Sequence, residues 1–403
     1  MTKASHSGPL AGYRVIDLTS VVSGPATAVL LADQGADVIK VEAPAGDVMR
    51  RGRKHAGAHA PNFISCNRGK RSLVLDLKQE CARQVLTRLL ETADVFVQNN
   101  RPGAMQRLGF GADEVCAKFP RLIYASISGV GPTGPYAGKR VYDPIIQALS
   151  GLADIQSDPI SGRPKMIRTL IADKITAVFT AQAITAALLH RERSGQGQHV
   201  QVSMLDAVVS FIWPEGMAAF TAIGHEDEEA ARNSAHDMIF ETGDGHLTVG
   251  AVSDVEWRGL CQALEHPEWI DDPRFKTNAL RSQNRQVRLE LVENTLKSGS
   301  TQKWLAAFAA HDVPSAPILR RGVMLDDPQV AANNLIVEFD QPGVGPVRQA
   351  RPAARFAASP AEIAGPAPAL GGDASAILDE LGLAPEDITS LREQGAFGPP
   401  AKD

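Results

Sequence analysis

The chain has 403 residues, long enough for a large core and for two or three domains of ordinary size. Hydrophobic residues make up 44% and charged residues 22%, the balance of a globular protein and not of a disordered or fibrous one. Lys and Arg number 41 against 46 Asp and Glu, and the resulting net charge of −5 argues against a general nucleic-acid binder.

Residues 13–18, Tyr-Arg-Val-Ile-Asp-Leu, read as a strand. Gly24-Pro25 then opens an apolar helix over 26–34, with Gly35 at its C′ position. Residues 37–42 form the next strand. After a polar, basic loop come a strand at 72–77, a helix at 80–92, a strand at 94–98, a short helix at 104–108 and a strand at 121–126. Strands separated by single helices imply right-handed crossovers and a mostly parallel sheet, so the expected fold is α/β and doubly wound. From Asp173 to Arg193 there is no Gly or Pro, and the segment predicts a helix of about 31 Å at 1.5 Å per residue. Arg191 and Arg193 suit its C-terminal dipole, and Gly195 stops it. A strand follows at 199–204.

The acidic stretch from Gly224 to Arg232 reads as an exposed linker, and Thr242-Gly-Asp-Gly245 as a hairpin turn. Helical patterns then cover 255–264, 284–296 and 302–311, and a Pro/Ala-rich tail carries two more at 374–381 and 385–393. The expected organisation is a large α/β domain over 1–210, a linker and small α+β domain over 211–325, and a segment over 326–403 that returns to the large domain. Cys66, Cys81, Cys116 and Cys261 form no CxxC pair, so a reducing, cytoplasmic setting is expected. Residues 1–12 lack the apolar run of a signal peptide. The most apolar stretch, 175–189, is broken by Thr176, Thr180, Gln182 and Thr185 and reads as too short and too polar to span a bilayer. A soluble chain with no membrane partner is the expectation.

Signatures such as GxSxG, HExxH and the P-loop are missing, and the ten histidines lack metal-ligand spacing, so no metal site is expected. One GxGxxG occurs, from Gly129 to Gly134, after a predicted strand. Pro132, Pro135 and the loop Tyr136–Arg140 deny it the helix N-terminus on which a dinucleotide pyrophosphate sits, and a conformationally special loop is the simpler reading. Two basic groups, Arg50-Arg51-Gly-Arg53-Lys54 and Arg68-Gly-Lys70-Arg71, read either as solvated surface or as a phosphate seat at the mouth of the sheet. Asp173 stands where the long helix begins. Taken alone it is an N-cap or first-turn charge. A carboxylate there, with a reference pKa of about 3.9, is ionised near neutral pH and can attack an activated acyl carbon if it is oriented and shielded from water.

Several segments, in order along nearly the whole chain, bear a likeness to one family. They include Leu10-Ala-Gly-Tyr-Arg-Val-Ile-Asp-Leu18, Gly24-Pro-Ala26, Gly35-Ala-Asp-Val-Ile-Lys-Val-Glu42 and Asn67-Arg-Gly-Lys-Arg-Ser-Leu-Val-Leu-Asp-Leu-Lys78. Ala93-Asp-Val-Phe-Val-Gln-Asn-Asn-Arg-Pro-Gly103, Arg121-Leu-Ile-Tyr-Ala-Ser-Ile-Ser-Gly129, Tyr142-Asp-Pro-Ile-Ile-Gln-Ala-Leu-Ser-Gly151 and Ser194-Gly-Gln-Gly-Gln-His-Val-Gln-Val-Ser-Met-Leu-Asp206 complete the set. The chain resembles the class III coenzyme A-transferases, the family of formyl-CoA and carnitine CoA-transferases, whose superfamily includes α-methylacyl-CoA racemase. The resemblance implies a Rossmann-like large domain and an interlocked homodimer. It implies that Asp173, about twenty residues before the Ser-Gly-Gln-Gly-Gln turn, carries the acyl group. CoA contacts are implied at Val22, Ser23, Leu75 to Lys78, Asn99, Asn100, Arg107, Arg140, Tyr142 and Asp143. Substrates would be an acyl-CoA and a carboxylic acid acceptor, with no permanently bound cofactor, through an aspartyl anhydride and an aspartyl-CoA thioester. Backbone N–H groups at Gly129-Val-Gly131 or near Asn233–His236 are candidate oxyanion donors.

Two departures bear on specificity. Ala43 follows Lys-Val-Glu where some members carry an Arg near the nucleotide. The stretch Ala231–Phe240 lacks the glycines of a formyl-CoA transferase loop, which points to an acid larger than formate or oxalate, met by His236 or Arg232, or else to plain exposed loop charge. A racemase would want a His before Asp143 as general base, and Tyr142, a phenol of pKa about 10, is a poor substitute. A silent CoA-binding protein is the other alternative.

Overall fold

The computed structural model describes residues 7–51, 60–158, 161–228 and 238–398. Its main sheet is built from short runs whose side chains alternate between two buried faces. These are β1 Arg14–Leu18, β2 Asp37–Glu42, β3 Arg71–Val74, β4 Val95–Gln98, β5 Ile123–Ser128 and β6 His199–Ser203. The order is β3-β2-β1-β4-β5-β6 and every pairing is parallel. Val15, Val38, Val95 and Ile123 join one apolar cluster, and the neighbouring Ile16, Ile39, Phe96 and Tyr124 join the other, as a period of two requires. Helices therefore cover both faces.

The connecting helices are α1 Ser23–Ala32, α2 Pro61–Asn67, α3 Glu80–Glu91, α4 Ala104–Arg107, α5 Ala112–Lys118, α6 Asp143–Leu149, α7 Leu152–Ile155, α8 Ile171–Ser194 and α9 Met204–Gly216. α1 and α8 bury Ala28, Leu31, Ala181, Ile184 and Leu188 on the first face. α3 and α5, with Ile377, Leu378 and Leu383 from the end of the chain, cover the second. α8 has the length and composition to cross a membrane, contrary to the sequence expectation for 175–189. More than half of its most apolar stretch is buried, and Asp173, Thr176, Thr180 and Arg191 are buried with it, so it serves as a core helix. α9 is broken at Pro214, which cannot donate to the helix ladder.

The chain winds outward from β1 to β3 and then returns to β4 beside β1. Loops leaving β1 and β4 diverge, which opens a crevice at the C-terminal edge of the sheet, the usual ligand position in doubly wound folds. β3 stops at Val74, three residues short of the expected strand, so residues 75–78 turn over that edge.

Two units divide the chain: Met1–Arg232 with Asn334–Asp403, and Asn233–Asn333. The late part of the first unit holds an antiparallel hairpin, β10 Ile336–Gln341 with β11 Gly345–Ala350, and helices Ala374–Glu380 and Pro385–Glu393. Asp373 accepts from the Ser72 N–H (2.8 Å), and Glu380 pairs with both Arg14 and Arg71. The second unit has a three-stranded antiparallel sheet, β7 Ile239–Glu241, β8 His246–Val249 and β9 Ser315–Pro317. Helices Asp254–Ala263, Arg285–Leu296 and Thr301–Ala310 pack with it around Trp257, Trp269, Phe275, Trp304 and Phe308. The expected linker is exposed through Glu228. Its remainder lies outside the described residues, as do Arg53, Lys54, Arg232 and Asn233–His236.

Candidate active site at the switch point of the sheet

The loop from β1 into α1 is held from below by buried charge. Lys70 Nζ donates to Asp17 (2.8 Å), to the Asn67 side chain (3.0 Å) and to the Pro25 carbonyl (2.9 Å). Lys40 Nζ donates to the Thr19 carbonyl and to Asp47, both at 3.0 Å. Both ammonium groups are fully buried. Burial alone would raise the pKa of Asp17, but Lys70 and Lys40 hold it below the usual carboxylate range. Burial pushes Lys70 down to about 8 despite Asp17. Above this network Asn99 clamps Ser20, accepting from its N–H (2.9 Å) and donating to its carbonyl (2.8 Å). Val21 is thereby kept at φ 73°, a left-handed conformation that β-branched residues rarely take. The loop then delivers Val22 and Ser23, both buried, to the start of α1.

Asp173 lies in the first turn of α8, only 8% exposed. The Ser23 N–H donates to its Oδ1 at 3.2 Å, so two helix N-termini meet at this carboxylate. The head of α8 is not capped by Asp173 itself. Asp143, the first residue of α6, accepts from the N–H of Ala172 (2.6 Å) and of Asp173 (3.2 Å) with Oδ2, and from the Gln147 amide (2.6 Å) with Oδ1. Sequence reasoning put Asp143 among coenzyme contacts. It is 1% exposed with both oxygens engaged, and it acts on the site through α8. Burial first, and then the charge of Asp143, raise the pKa of Asp173, while Ser23 and Lys174 pull it down.

A cleft of about 540 Å³ opens at the ends of β1, β2, β3 and β4. Thr19, Ser20, Ala43, Leu75, Lys78, Asn100 and Arg107 line it. Lys78 and Arg107 are exposed, and neither has a carboxylate partner among the described residues. Lys78 and Arg107 thus bring two cations to a lining that also holds Glu42, Asp47 and Asp76, of which Glu42 and Asp47 are already paired with Arg50 and Lys40. The structure thus gathers Leu75, Lys78, Asn100 and Arg107 in one place. Val22, Ser23, Asp143 and Asp173 form a second group, reached from Ser20 along the loop that Asn99 clamps. Arg140 and Tyr142 are exposed in the approach to α6 and do not line the cleft.

Of the two basic groups, the described cations other than Arg51 are tied up in ion pairs. Arg50 pairs with Glu42 (2.6 Å), Arg68 with Asp33 (2.7 Å), Lys70 with Asp17, and Arg71 with Asp37 (2.7 Å). A signal for this was present: each described cation but Arg51 finds its own acid in or beside β1, α1 and β2. The GxGxxG loop opens no helix, since irregular chain continues to Asp143. A Cβ on Gly129 would lie 1.9 Å from Val141 Cγ2, and Gly131 sits at φ 90°, so glycine is demanded by packing and conformation. Among the described residues no group of three or more His, Cys, Asp or Glu is placed to hold a metal.

Comparison with known proteins supplies the family. A family model described as CoA-transferase family III matches residues 10–374. The human succinyl-CoA:glutarate CoA-transferase is 34% identical over 381 residues, 93% of this chain and 86% of that protein. The acetyl-CoA:oxalate CoA-transferase of Acetobacter aceti is 35% identical over 341 residues, 84% of this chain and 87% of that protein. The crystal structure of Rv3272 from Mycobacterium tuberculosis superposes with a TM-score of 0.82 at 32% identity, covering 93% of this chain and all of that one (100%). A CAIB/BAIF family protein from Brucella suis gives 0.80 at 32% identity, again covering 93% and 100%. With a match across nearly its whole length, the chain belongs to CoA-transferase family III and is an enzyme that acts on CoA thioesters.

Proposed function

We propose that the protein moves CoA from an acyl-CoA to an acceptor carboxylic acid, with Asp173 as the nucleophile that carries the acyl group. The observation that carries this reading is the placement of a buried carboxylate at the head of α8, held by the Ser23 N–H three residues beyond the cleft-lining Ser20. The Asp173 carboxylate attacks the thioester carbonyl of the donor, giving a mixed anhydride and CoA thiolate. The thiolate then attacks the aspartyl carbonyl, releasing the donor acid and leaving an aspartyl-CoA thioester. The acceptor carboxylate attacks that thioester and expels the thiolate, which takes the acceptor acyl group from the second anhydride and frees Asp173. A raised pKa makes the carboxylate more basic and a better nucleophile, and burial keeps water from the anhydride. Lys78 and Arg107 would seat the CoA phosphates, while Leu75 and Asn100 would lie along the rest of the coenzyme.

Exposed apolar side chains on three helices of the first unit, among them Val178, Phe211 and Trp213, support a homodimer that covers them. Four unpaired cysteines support a reducing, cytoplasmic setting. The names of the relatives put succinyl-CoA and acetyl-CoA first among donors to test, with glutarate and oxalate as acceptors. After incubation with each thioester and then hydroxylamine, mass spectrometry should find a hydroxamate on the peptide holding Asp173. Asp173→Ala should bind CoA as before and lose transfer; transfer that survives in this variant would end the proposal.

A further inference from the structure

The second unit contains a cavity of about 280 Å³ that the proposed chemistry does not use. Its walls are mostly apolar, with Phe240, Trp257, Leu260, Leu289 and Val292 prominent, and Arg285 and Arg288 also line it. Arg288 is half-buried and has no carboxylate partner among the described residues, whereas Arg281 nearby is satisfied by Asp254 and the Phe275 carbonyl. Arg285 and Arg281, both cations, act on Arg288, and burial followed by these like charges lowers its pKa. A half-buried guanidinium beside like charge, with no anion of its own among the described residues, is an incomplete ion pair. Trp257 in the same wall adds a buried indole Nε1 with no hydrogen-bond partner. Buried polar groups without partners call for an explanation, and a ligand anion supplies one. We propose that this cavity binds a free aliphatic carboxylic acid, its carboxylate on Arg288 and its chain among Phe240, Leu260, Leu289 and Val292. The apolar walls disfavour inorganic phosphate and other compact, strongly hydrated anions, and the Arg288 guanidinium selects a carboxylate over an alcohol or an amine. This site requires neither CoA nor Asp173, so it stands apart from the transfer reaction.

The test uses the full-length protein without CoA and sodium octanoate as the probe, by calorimetry and tryptophan fluorescence. One site per chain is expected, with an emission change that Trp257→Phe largely removes. Arg288→Met should weaken octanoate at least tenfold, and Arg288→Lys should lie between it and the parent. Gly250 offers a variant that leaves the fold alone: it lines the cavity, its φ is not left-handed, and a Cβ there meets nothing within 4 Å. Gly250→Leu should fill the space and abolish binding with an unchanged melting curve. Octylammonium should not bind. No saturable octanoate binding, binding indifferent to both Arg288→Met and Gly250→Leu, or equal binding of octylammonium would each overturn the inference. The same titration in Asp173→Ala should be unchanged, which separates this result from the fate of the transfer mechanism.

Discussion

Replacing Asp143 with Asn keeps the shape of the side chain and tests how the head of α8 is held. The carboxylate takes donors on both oxygens: two backbone N–H groups of α8 on one and the Gln147 amide on the other. An Asn side chain has a single oxygen. If that oxygen faces α8, its amino group confronts the Gln147 Nε2, donor against donor. Gln147 cannot turn over freely, because its Oε1 already accepts from the Ile167 N–H at 2.9 Å. If the Asn turns instead, the helix loses its acceptor. Either way a buried donor is left unmet, at about 1–3 kcal/mol, and the anion facing a helix N-terminus is lost, at about 0.3–1 kcal/mol. A loss of roughly 2–3 kcal/mol is expected in urea denaturation. The same change removes a negative charge that helps to raise the pKa of Asp173. Asp173 should then ionise more readily, and the acid limb of the kcat/KM profile should move to lower pH. A variant as stable as the parent, or an acid limb displaced to higher pH, would refute this account of the site.

Asp173→Asn should stabilise the protein at neutral pH. The folded-state pKa of Asp173 is raised above its ordinary 3.8, so its contribution is fully present below that value and is lost as pH rises through the folded pKa. The Tm advantage of the variant should therefore appear at neutral pH and vanish in acid; an advantage independent of pH would contradict the burial argument. Lys70→Met leaves Asp17 charged and buried without its nearest cation, and should cost about 3–5 kcal/mol in urea denaturation. Adding Asp17→Leu to that variant should recover part of the loss, and a lack of recovery would mean that packing dominates. At Val21, held at φ 73°, Gly should exceed Ala in stability by about 1 kcal/mol, since only Gly takes that conformation without strain. Equal stability of the two variants would place the strain elsewhere.

Much of the sheet was legible because β1, β2, β4 and β5 are short runs with Val or Ile at their centres or ends, separated by helical patterns and turn residues. The position of Asp173 in a first turn could also be read, since a long run without Gly or Pro has a visible beginning. What completes the site could not. Asp143 caps a helix that starts 28 residues later in the chain (171 − 143), and no local pattern announces such a pairing. α6 nevertheless had a signal in Asp143-Pro144, since Pro favours the first turn of a helix. The hairpin of β10 and β11 was hidden by Pro342, Gly343 and Gly345, which made the tail resemble loop although Ile336 to Phe339 suits a strand. The pairing of Arg50, Arg68, Lys70 and Arg71 was hidden for a related cause: composition shows cations, and only the tertiary fold shows that Glu42, Asp33, Asp17 and Asp37 face them. Arg288 is the opposite case, a cation with no acid opposite it among the described residues, and sequence alone cannot reveal that.

The anchoring of β3 by the far end of the chain has a consequence for synthesis on the ribosome. Ser72 receives its partner Asp373 only after another 301 residues have been made. Until then the outer edge of the sheet offers unpaired backbone groups to any passing strand, a setting in which mispairing and aggregation arise. Residues 233–333 are contiguous, so their whole complement emerges before the first unit has its closing pieces. Early termination of translation should therefore harm the first unit more than the second.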